Sequence, residues 1–224
     1  MHNRSFEAII FDLDGTLIDT ETIDFEACQR LYQELGANLS LEYWAERVVG
    51  VTDGYEELFE ELILASQNGI TKEKLWQRLQ QLWDLTLPKM ILMPGVSLLL
   101  PQLEAAGYPL GLATASDRAW VQRWLSHFNL TTYFQAIATG EEVNRNKPAP
   151  DVYLLAAAQL GVEPERCLVF EDSWAGACSA KAAGMTVVAV PSPITQSLDF
   201  SQADRVVYGL QNVTPEWIES LAQV

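Results

Sequence analysis

Residues 8–21 read AIIFDLDGTLIDTE. The apolar run AIIF leads directly into Asp12 and Asp14, a pattern typical of a buried central strand of a parallel sheet. Two carboxylates this close repel each other strongly unless a positive charge lies nearby. The stretch therefore predicts a buried strand whose carboxyl end carries carboxylates with a special purpose.

Further along the chain, strand and helix patterns alternate from about residue 95 to the end. The later predicted strands are Leu110–Thr114, Ala136–Thr139, Leu168–Phe170, Val187–Val190 and an edge strand at Val206-Val207. Alternating strands and helices form a parallel sheet with helices on both faces. We therefore predict an α/β fold with a Rossmann-like parallel-sheet core.

The segment between the first strand and this alternation has a different pattern. Apolar residues recur there at helical spacing, glycine and turn residues separate the repeats, and strand patterns are absent. This predicts an inserted all-α cap domain over residues 21–89. The core is then discontinuous and comprises residues 1–20 and 90–224.

Charge and composition exclude several classes of partner. The formal net charge of −16 argues against nucleic acid and anionic membranes, which both require a cationic surface. Three widely spaced cysteines predict reduced residues in a cytoplasmic protein, and only two histidines leave little basis for a histidine-built metal centre. The amino-terminal residues resemble neither a signal peptide nor a membrane span. We expect a monomer.

Polar side chains follow three of the predicted strands, where ligands bind in open parallel sheets. They are Asp12 and Asp14 after the first strand, Thr114 and Ser116 after the second, and Glu171 and Asp172 after the strand LVF. Each could be a strand-end cap or a solvated loop residue. Four converging carboxylates are better explained by a divalent cation, and their oxygen ligands favour Mg2+. The pattern fits neither an EF-hand nor a P-loop.

Four segments in this order resemble the motifs of the haloacid dehalogenase superfamily. They read DLDGTLIDTE, LATAS, NKPAPDVY and VFEDSWAGACSAKAAG. With the inserted helical block, the closest resemblance is to the helical-cap branch that includes the beta-phosphoglucomutase-like phosphatases. The match covers nearly all of the predicted core.

The resemblance implies a role for each matching residue. Asp12 would be the nucleophile that forms an aspartyl-phosphate, and Asp14 the general acid and then the general base. Lys147 would neutralise Asp12 and the phosphoryl oxygens. The implied Mg2+ ligands are Asp12, the backbone carbonyl of Asp14, Glu171 and Asp172, and the implied phosphate contacts are Thr114, Ala115, Ser116 and Lys147.

The predicted cap distinguishes a phosphatase from a phosphosugar mutase. Mutases of this type carry a histidine and an arginine that hold a second phosphate, where this chain has Asp24 and Asp53. Anions at these places disfavour a sugar bisphosphate, although Arg47 lies close by in sequence. We therefore predict a Mg2+-dependent phosphatase for small phosphorylated metabolites, such as sugar or polyol phosphates. Asp24, Arg47, Thr52 and Asp53 are candidates for substrate specificity.

Two alternatives stay open at this point. One is a phosphosugar mutase of the beta-phosphoglucomutase type. The other is a binding or regulatory protein that keeps the fold without catalysis.

Overall fold

A computed structural model of the chain describes residues 4–49, 54–66 and 69–221. The chain divides into two compact units, which we call the sheet unit and the helical unit. The sheet unit comprises the residues up to Ile18, Leu92–Ser192 and those from Asp199 onwards, and the helical unit comprises Asp19–Ile91 and Pro193–Leu198.

The sheet unit is built on six parallel strands. These are β1 (Ala8–Phe11), β2 (Leu110–Ala113), β3 (Phe134–Ala138), β4 (Cys167–Glu171), β5 (Thr186–Ala189) and β6 (Arg205–Val206). Their order across the sheet is β3-β2-β1-β4-β5-β6, and every neighbouring pair is parallel. The α/β prediction is confirmed. The first strand in the chain lies inside the sheet, between β2 and β4.

The helices follow the order that the sequence predicts. Those of the helical unit are α1 (Thr20–Glu34), α2 (Leu41–Arg47), α3 (Gly54–Ala65) and α4 (Lys72–Thr86). Those of the sheet unit are α5 (Val96–Ala105), α6 (Arg118–His127), α7 (Asp151–Leu160), α8 (Trp174–Ala182) and α9 (Pro215–Ser220). Within residues 4–49, 54–66 and 69–221, no helix combines the length and apolar character needed to cross a membrane.

Alternation along β1 divides its side chains between the two faces of the sheet. Ala8 and Ile10 pack in one buried cluster with Tyr153 of α7 and with small residues of α8. On β1 and β4, the rings of Phe11 and Phe170 stack with centroids 5.1 Å apart. Burial of the whole strand explains its uninterrupted apolar sequence.

Strand β3 begins at Phe134, two residues before the predicted start. It is an edge strand, and its residues alternate between buried and more exposed positions. Gln135 is exposed, so the amino-terminal half of the strand lacks the continuous apolar run by which the inner strands are recognised.

The helical unit has its own hydrophobic core. Fully buried Trp44 lies in it with Leu31, Leu58 and Leu79, which come from the other three helices. Ile194 joins the same cluster and is buried. The sequence prediction assigned residues 193–198 to the core domain, and the structure differs because burial of Ile194 places this short segment with the helices.

Candidate active site

The functional candidates of the sheet unit come together at the carboxyl ends of three adjacent strands. Asp12 follows β1, Thr114 follows β2, and Glu171 ends β4 with Asp172 after it. Because β2 and β4 flank β1, the loops after these strands meet around the end of β1. Asp12, Thr114, Glu171 and Asp172 are all buried.

Lys147 lies at the centre of this group. Its Nζ donates to Asp12 Oδ1 and to Glu171 Oε1, each at 2.6 Å, and to the carbonyl oxygen of Ala113 at 3.1 Å. Burial alone would lower the pKa of Lys147, but the adjacent carboxylates of Asp12 and Glu171 raise it well above the usual value. The lysine therefore carries a positive charge within a buried network.

Asp12 has an unusual electrostatic environment. Burial raises the pKa of its carboxyl group to about 8, and the charges of Glu171 and Asp14 act in the same direction. Lys147 opposes this shift but does not cancel it. Additional positive charge is therefore needed to keep Asp12 largely ionised at neutral pH.

Glu171 is held by donors from α7 and from the loops that precede α7 and α8. Oε1 accepts from Lys147 and from the Tyr153 hydroxyl at 3.0 Å, and Oε2 accepts from the backbone amide and hydroxyl of Ser173 at 2.8 and 3.0 Å. A Cβ atom at Gly176 would overlap this carboxylate. The structure thus makes Glu171 a counter-charge of Lys147, and its role as a metal ligand stays a prediction.

Asp14 accepts hydrogen bonds from a separate set of residues, on the β2 side. Ser116 Oγ donates to Oδ2 at 2.7 Å, Thr114 Oγ1 lies 3.4 Å from the same oxygen, and Trp120 Nε1 donates to Oδ1 at 2.9 Å. Both oxygens of Asp14 are therefore positioned by side chains of α6 and of the loop between β2 and α6.

The predicted phosphate contacts all lie in this loop or beside the site. Ser116 bonds to Asp14 here, and its amide donates to Thr114 Oγ1 at 3.0 Å. Ala115 is exposed in the loop, and a Cβ atom at Gly140 would overlap its carbonyl oxygen. Contact of Thr114, Ala115 and Ser116 with phosphate stays a prediction.

The donor set fits a hard cation such as Mg2+. Within the described ranges, no group of three or more His, Cys, Asp or Glu side chains is arranged to hold a metal ion, so a cation here would rest on fewer side chains. Asp12 and Asp172 supply carboxylate oxygens, the ligands that Mg2+ prefers. Gly15 has a φ of +77°, and a Cβ atom there would overlap the Asp172 carboxylate, so this glycine brings the turn after β1 close to Asp172.

Two specificity candidates of the helical unit have partners inside that unit. Asp24 accepts from Trp83 Nε1 at 2.7 Å and from the Tyr55 hydroxyl, so it ties α1 to α3 and α4. Arg47 pairs with Glu57 at 3.5 Å, and both side chains are more than half exposed. The other two candidates, Thr52 and Asp53, lie outside the described residues.

Three residues at the site, Trp120, Tyr153 and Ser173, carry no functional motif in the sequence. General preferences of two residue types could have indicated Tyr153 and Ser173. A fully buried tyrosine needs a partner for its hydroxyl, and a serine directly before a helix is a preferred cap. Ser173 accepts from the Gly176 amide as the N-cap of α8 and also donates to Glu171. Trp120 gave no comparable signal, because its contact depends on the geometry of the loop between β2 and α6.

Comparison with known sequences agrees with this arrangement. Residues 9–190 match the sequence profile of the haloacid dehalogenase-like hydrolases. The chain belongs to this family. As a haloacid dehalogenase-like hydrolase it has the parallel sheet and the ordered motifs from which the resemblance was drawn, and that resemblance is confirmed.

Individual relatives of this haloacid dehalogenase-like hydrolase match over most of their length. YhcW of Bacillus subtilis (strain 168) is 38% identical over 198 residues, which are 88% of this chain and 89% of YhcW. Hexitol phosphatase B of Escherichia coli (strain K12) is 33% identical over 197 residues, 87% of each chain. The crystal structure of CbbY from Rhodobacter sphaeroides in complex with phosphate has a TM-score of 0.73 at 29% identity and covers 92% of this chain and 96% of CbbY.

Proposed function

We propose that this protein is a Mg2+-dependent phosphatase that hydrolyses small phosphomonoesters, sugar or polyol phosphates among them, through an aspartyl-phosphate intermediate. The observation that carries the proposal is the position of Lys147, which bridges Asp12 and Glu171 inside a buried network. Hexitol phosphatase B, a relative at 33% identity, supports the substrate class by its name.

Asp12 is the proposed nucleophile. One of its oxygens bonds to Lys147, which fixes the carboxylate at the end of β1 and offsets part of its charge. An anionic carboxylate must approach an anionic phosphate, so positive charge at this place lowers the barrier to attack. Attack by Asp12 transfers the phosphoryl group to its carboxylate and releases the alcohol of the substrate.

Asp14 is the proposed general acid and base. It lies two residues from Asp12, and donors from the β2 side hold both of its oxygens. The separation of the two hydrogen-bond networks supports separate roles for the two carboxylates. Asp14 gives a proton to the leaving alcohol and then takes one from the water that hydrolyses the intermediate.

Asp12, Asp172 and the backbone carbonyl of Asp14 would hold the proposed Mg2+, together with Glu171. When bound, Mg2+ supplies positive charge that offsets the repulsion between carboxylate and phosphate. The chain itself gives a reason for a cation at this place, since Lys147 alone leaves the pKa of Asp12 raised to about 8.

A phosphosugar mutase is the second candidate, and the helical unit offers it little support. A mutase needs a positively charged side chain to hold the second phosphate of a bisphosphate. The candidate for this role is Arg47, which already pairs with Glu57. Asp24 accepts from Trp83 and Tyr55, which gives this acidic side chain a structural role. We further propose a monomer in the cytoplasm, consistent with the free cysteines Cys28, Cys167 and Cys178.

The test is a phosphate-release assay on a panel of hexose and hexitol phosphates and p-nitrophenyl phosphate, with protein freed of metal by EDTA and then given Mg2+. We expect turnover only with Mg2+, and a loss of about 10³-fold or more in Asp12→Asn. Glu104→Gln removes an exposed carboxylate from α5 and serves as the control. Activity that survives EDTA or Asp12→Asn would overturn the proposal. Isomerisation of a hexose 1-phosphate that depends on a bisphosphate, without net phosphate release, would favour the mutase.

A further inference from the structure

Trp120 reaches the proposed acid and base from the first turn of α6. Its backbone amide donates to Asp117 Oδ1 at 2.7 Å, which caps the helix, and its indole Nε1 donates to Asp14 Oδ1 at 2.9 Å. Ser116 donates to the other oxygen of Asp14 at 2.7 Å. The two donors hold the carboxylate from both oxygens and so restrict its rotation.

Packing fixes the indole ring as well as its hydrogen bond. The rings of Trp120 and Trp124, one helical turn apart, meet edge to face with centroids 5.6 Å apart. Trp124 is buried, so Trp120 is braced against the interior of the sheet unit. The indole N–H therefore occupies a defined place beside Asp14.

We propose that Trp120 is a positioning residue for the phosphatase reaction and that it orients the Asp14 carboxyl group through the indole N–H. The inference rests on the proposed function, because it assumes that Asp14 is the general acid. Trp120 itself touches no reacting atom, and its effect passes through Asp14.

This role has a specific chemical consequence in the first step. The bond between Asp12 and phosphorus forms while the bond from phosphorus to the leaving oxygen breaks, and the proton of Asp14 passes to that oxygen to give an alcohol. A sugar or polyol alkoxide is a poor leaving group and needs this proton. p-Nitrophenolate leaves without it, because the ring stabilises its negative charge. A misplaced Asp14 therefore harms the two substrate types unequally.

The experiment compares kcat/KM, which reports the steps up to transfer of the phosphoryl group, for a hexitol phosphate and for p-nitrophenyl phosphate. Trp120→Phe keeps an aromatic ring and removes the N–H. Trp217→Phe is the control, since it makes the same change in a half-buried tryptophan of α9. Circular dichroism and thermal unfolding verify that each variant is folded.

We expect Trp120→Phe to lower kcat/KM for the hexitol phosphate by about 10- to 100-fold, the effect of one hydrogen bond to a charged group, with a much smaller loss for p-nitrophenyl phosphate. Trp217→Phe should not change the ratio between the two substrates. Trp120→His should recover part of the loss, because the five-membered rings of histidine and tryptophan place a nitrogen at the same position. In an Asp14→Ala background, Trp120→Phe should have no further effect on either substrate.

Two results would overturn the inference. One is an equal loss on both substrates, and the other is a loss in the Asp14→Ala background as large as in the wild type. If Trp120→Phe does not fold, Trp120→His decides the question. A folded Trp120→His protein that shows no preference in kcat/KM for the hexitol phosphate over p-nitrophenyl phosphate contradicts the inference. A wild-type protein without phosphatase activity would sink the proposed function itself, a result distinct from the others.

Discussion

Replacing Lys147 with methionine removes a buried positive charge and keeps most of the side-chain volume. The change leaves the carboxylates of Asp12 and Glu171 without their shared partner, which lies 2.6 Å from each. The exposed fractions of the three side chains are 7% for Lys147, 7% for Asp12 and 1% for Glu171, so water cannot replace the lost interaction.

The magnitude follows from this burial. Removing one member of a buried ion pair costs about 3–5 kcal/mol in the free energy of unfolding, because an uncompensated charge stays behind. Lys181→Met is the matched control, since its 2.9 Å pair with Asp204 has side chains 36% and 38% exposed. An exposed pair of this kind contributes about 0.2–1 kcal/mol. We therefore expect Lys147→Met to be several times more destabilising than Lys181→Met.

The assay is urea unfolding of both variants in EDTA at about pH 9, above the raised pKa of Asp12, followed by far-ultraviolet circular dichroism. The deficit of Lys147→Met should shrink at about pH 5, below the raised pKa of Asp12, where Asp12 is protonated and needs less compensation. A Lys147→Met protein that loses no more stability than Lys181→Met would contradict this prediction, because the buried network around Lys147 would then contribute no more than an exposed ion pair.

Two further predictions concern the remaining carboxylates. Because the folded protein keeps a proton on Asp12 up to a pKa of about 8, whereas the unfolded chain releases it near 3.8, the stability of the metal-free protein should fall as the pH rises through this window. Thermal unfolding at several pH values with EDTA or Mg2+ checks this prediction. Mg2+ should raise the unfolding midpoint more at about pH 8 than at about pH 5. An Asp12→Asn protein whose stability changes with pH as steeply as that of the wild type would contradict it. Asp24→Asn should cost about 1–3 kcal/mol in the free energy of unfolding, because the amide cannot accept from both Trp83 and Tyr55 as the carboxylate does. Urea unfolding should show a smaller loss for Glu61→Gln, which changes an exposed acceptor of a tyrosine hydroxyl, and equal losses would count against the structural role of Asp24.

Features that follow from local pattern were predictable from the sequence. The apolar run before Asp12 indicated an inner strand, and the structure places it between β2 and β4. Lys147 was identified through its motif, and the structure gives it the predicted neighbour Asp12. Both predictions succeed because the residues lie within a few positions of a strand end or of a recognisable motif.

The different contacts of Glu171 and Asp172 were harder to predict. The sequence shows only two adjacent acidic residues after an apolar strand, and both were assigned to the metal. Successive side chains of a strand point to opposite faces, so neighbours can serve different purposes. The structure turns Glu171 toward Lys147 and Tyr153 and brings Asp172 against Gly15. Such partners come from distant segments, whose approach no local pattern specifies.

Because β1 lies between β2 and β4, Asp12 and Asp14 receive hydrogen bonds from different parts of the chain. The donors to Asp14 come from α6 and from the loop between β2 and α6, whereas Lys147, which holds Asp12, comes from the loop before α7 and is shared with Glu171 of β4. Substitutions in α6 can therefore change the surroundings of the proposed acid and base while the proposed nucleophile keeps its own, and substitutions near α7 and α8 can do the converse. If the proposed roles hold, a sheet arranged in this way lets one step of the reaction evolve without requiring simultaneous change in the other.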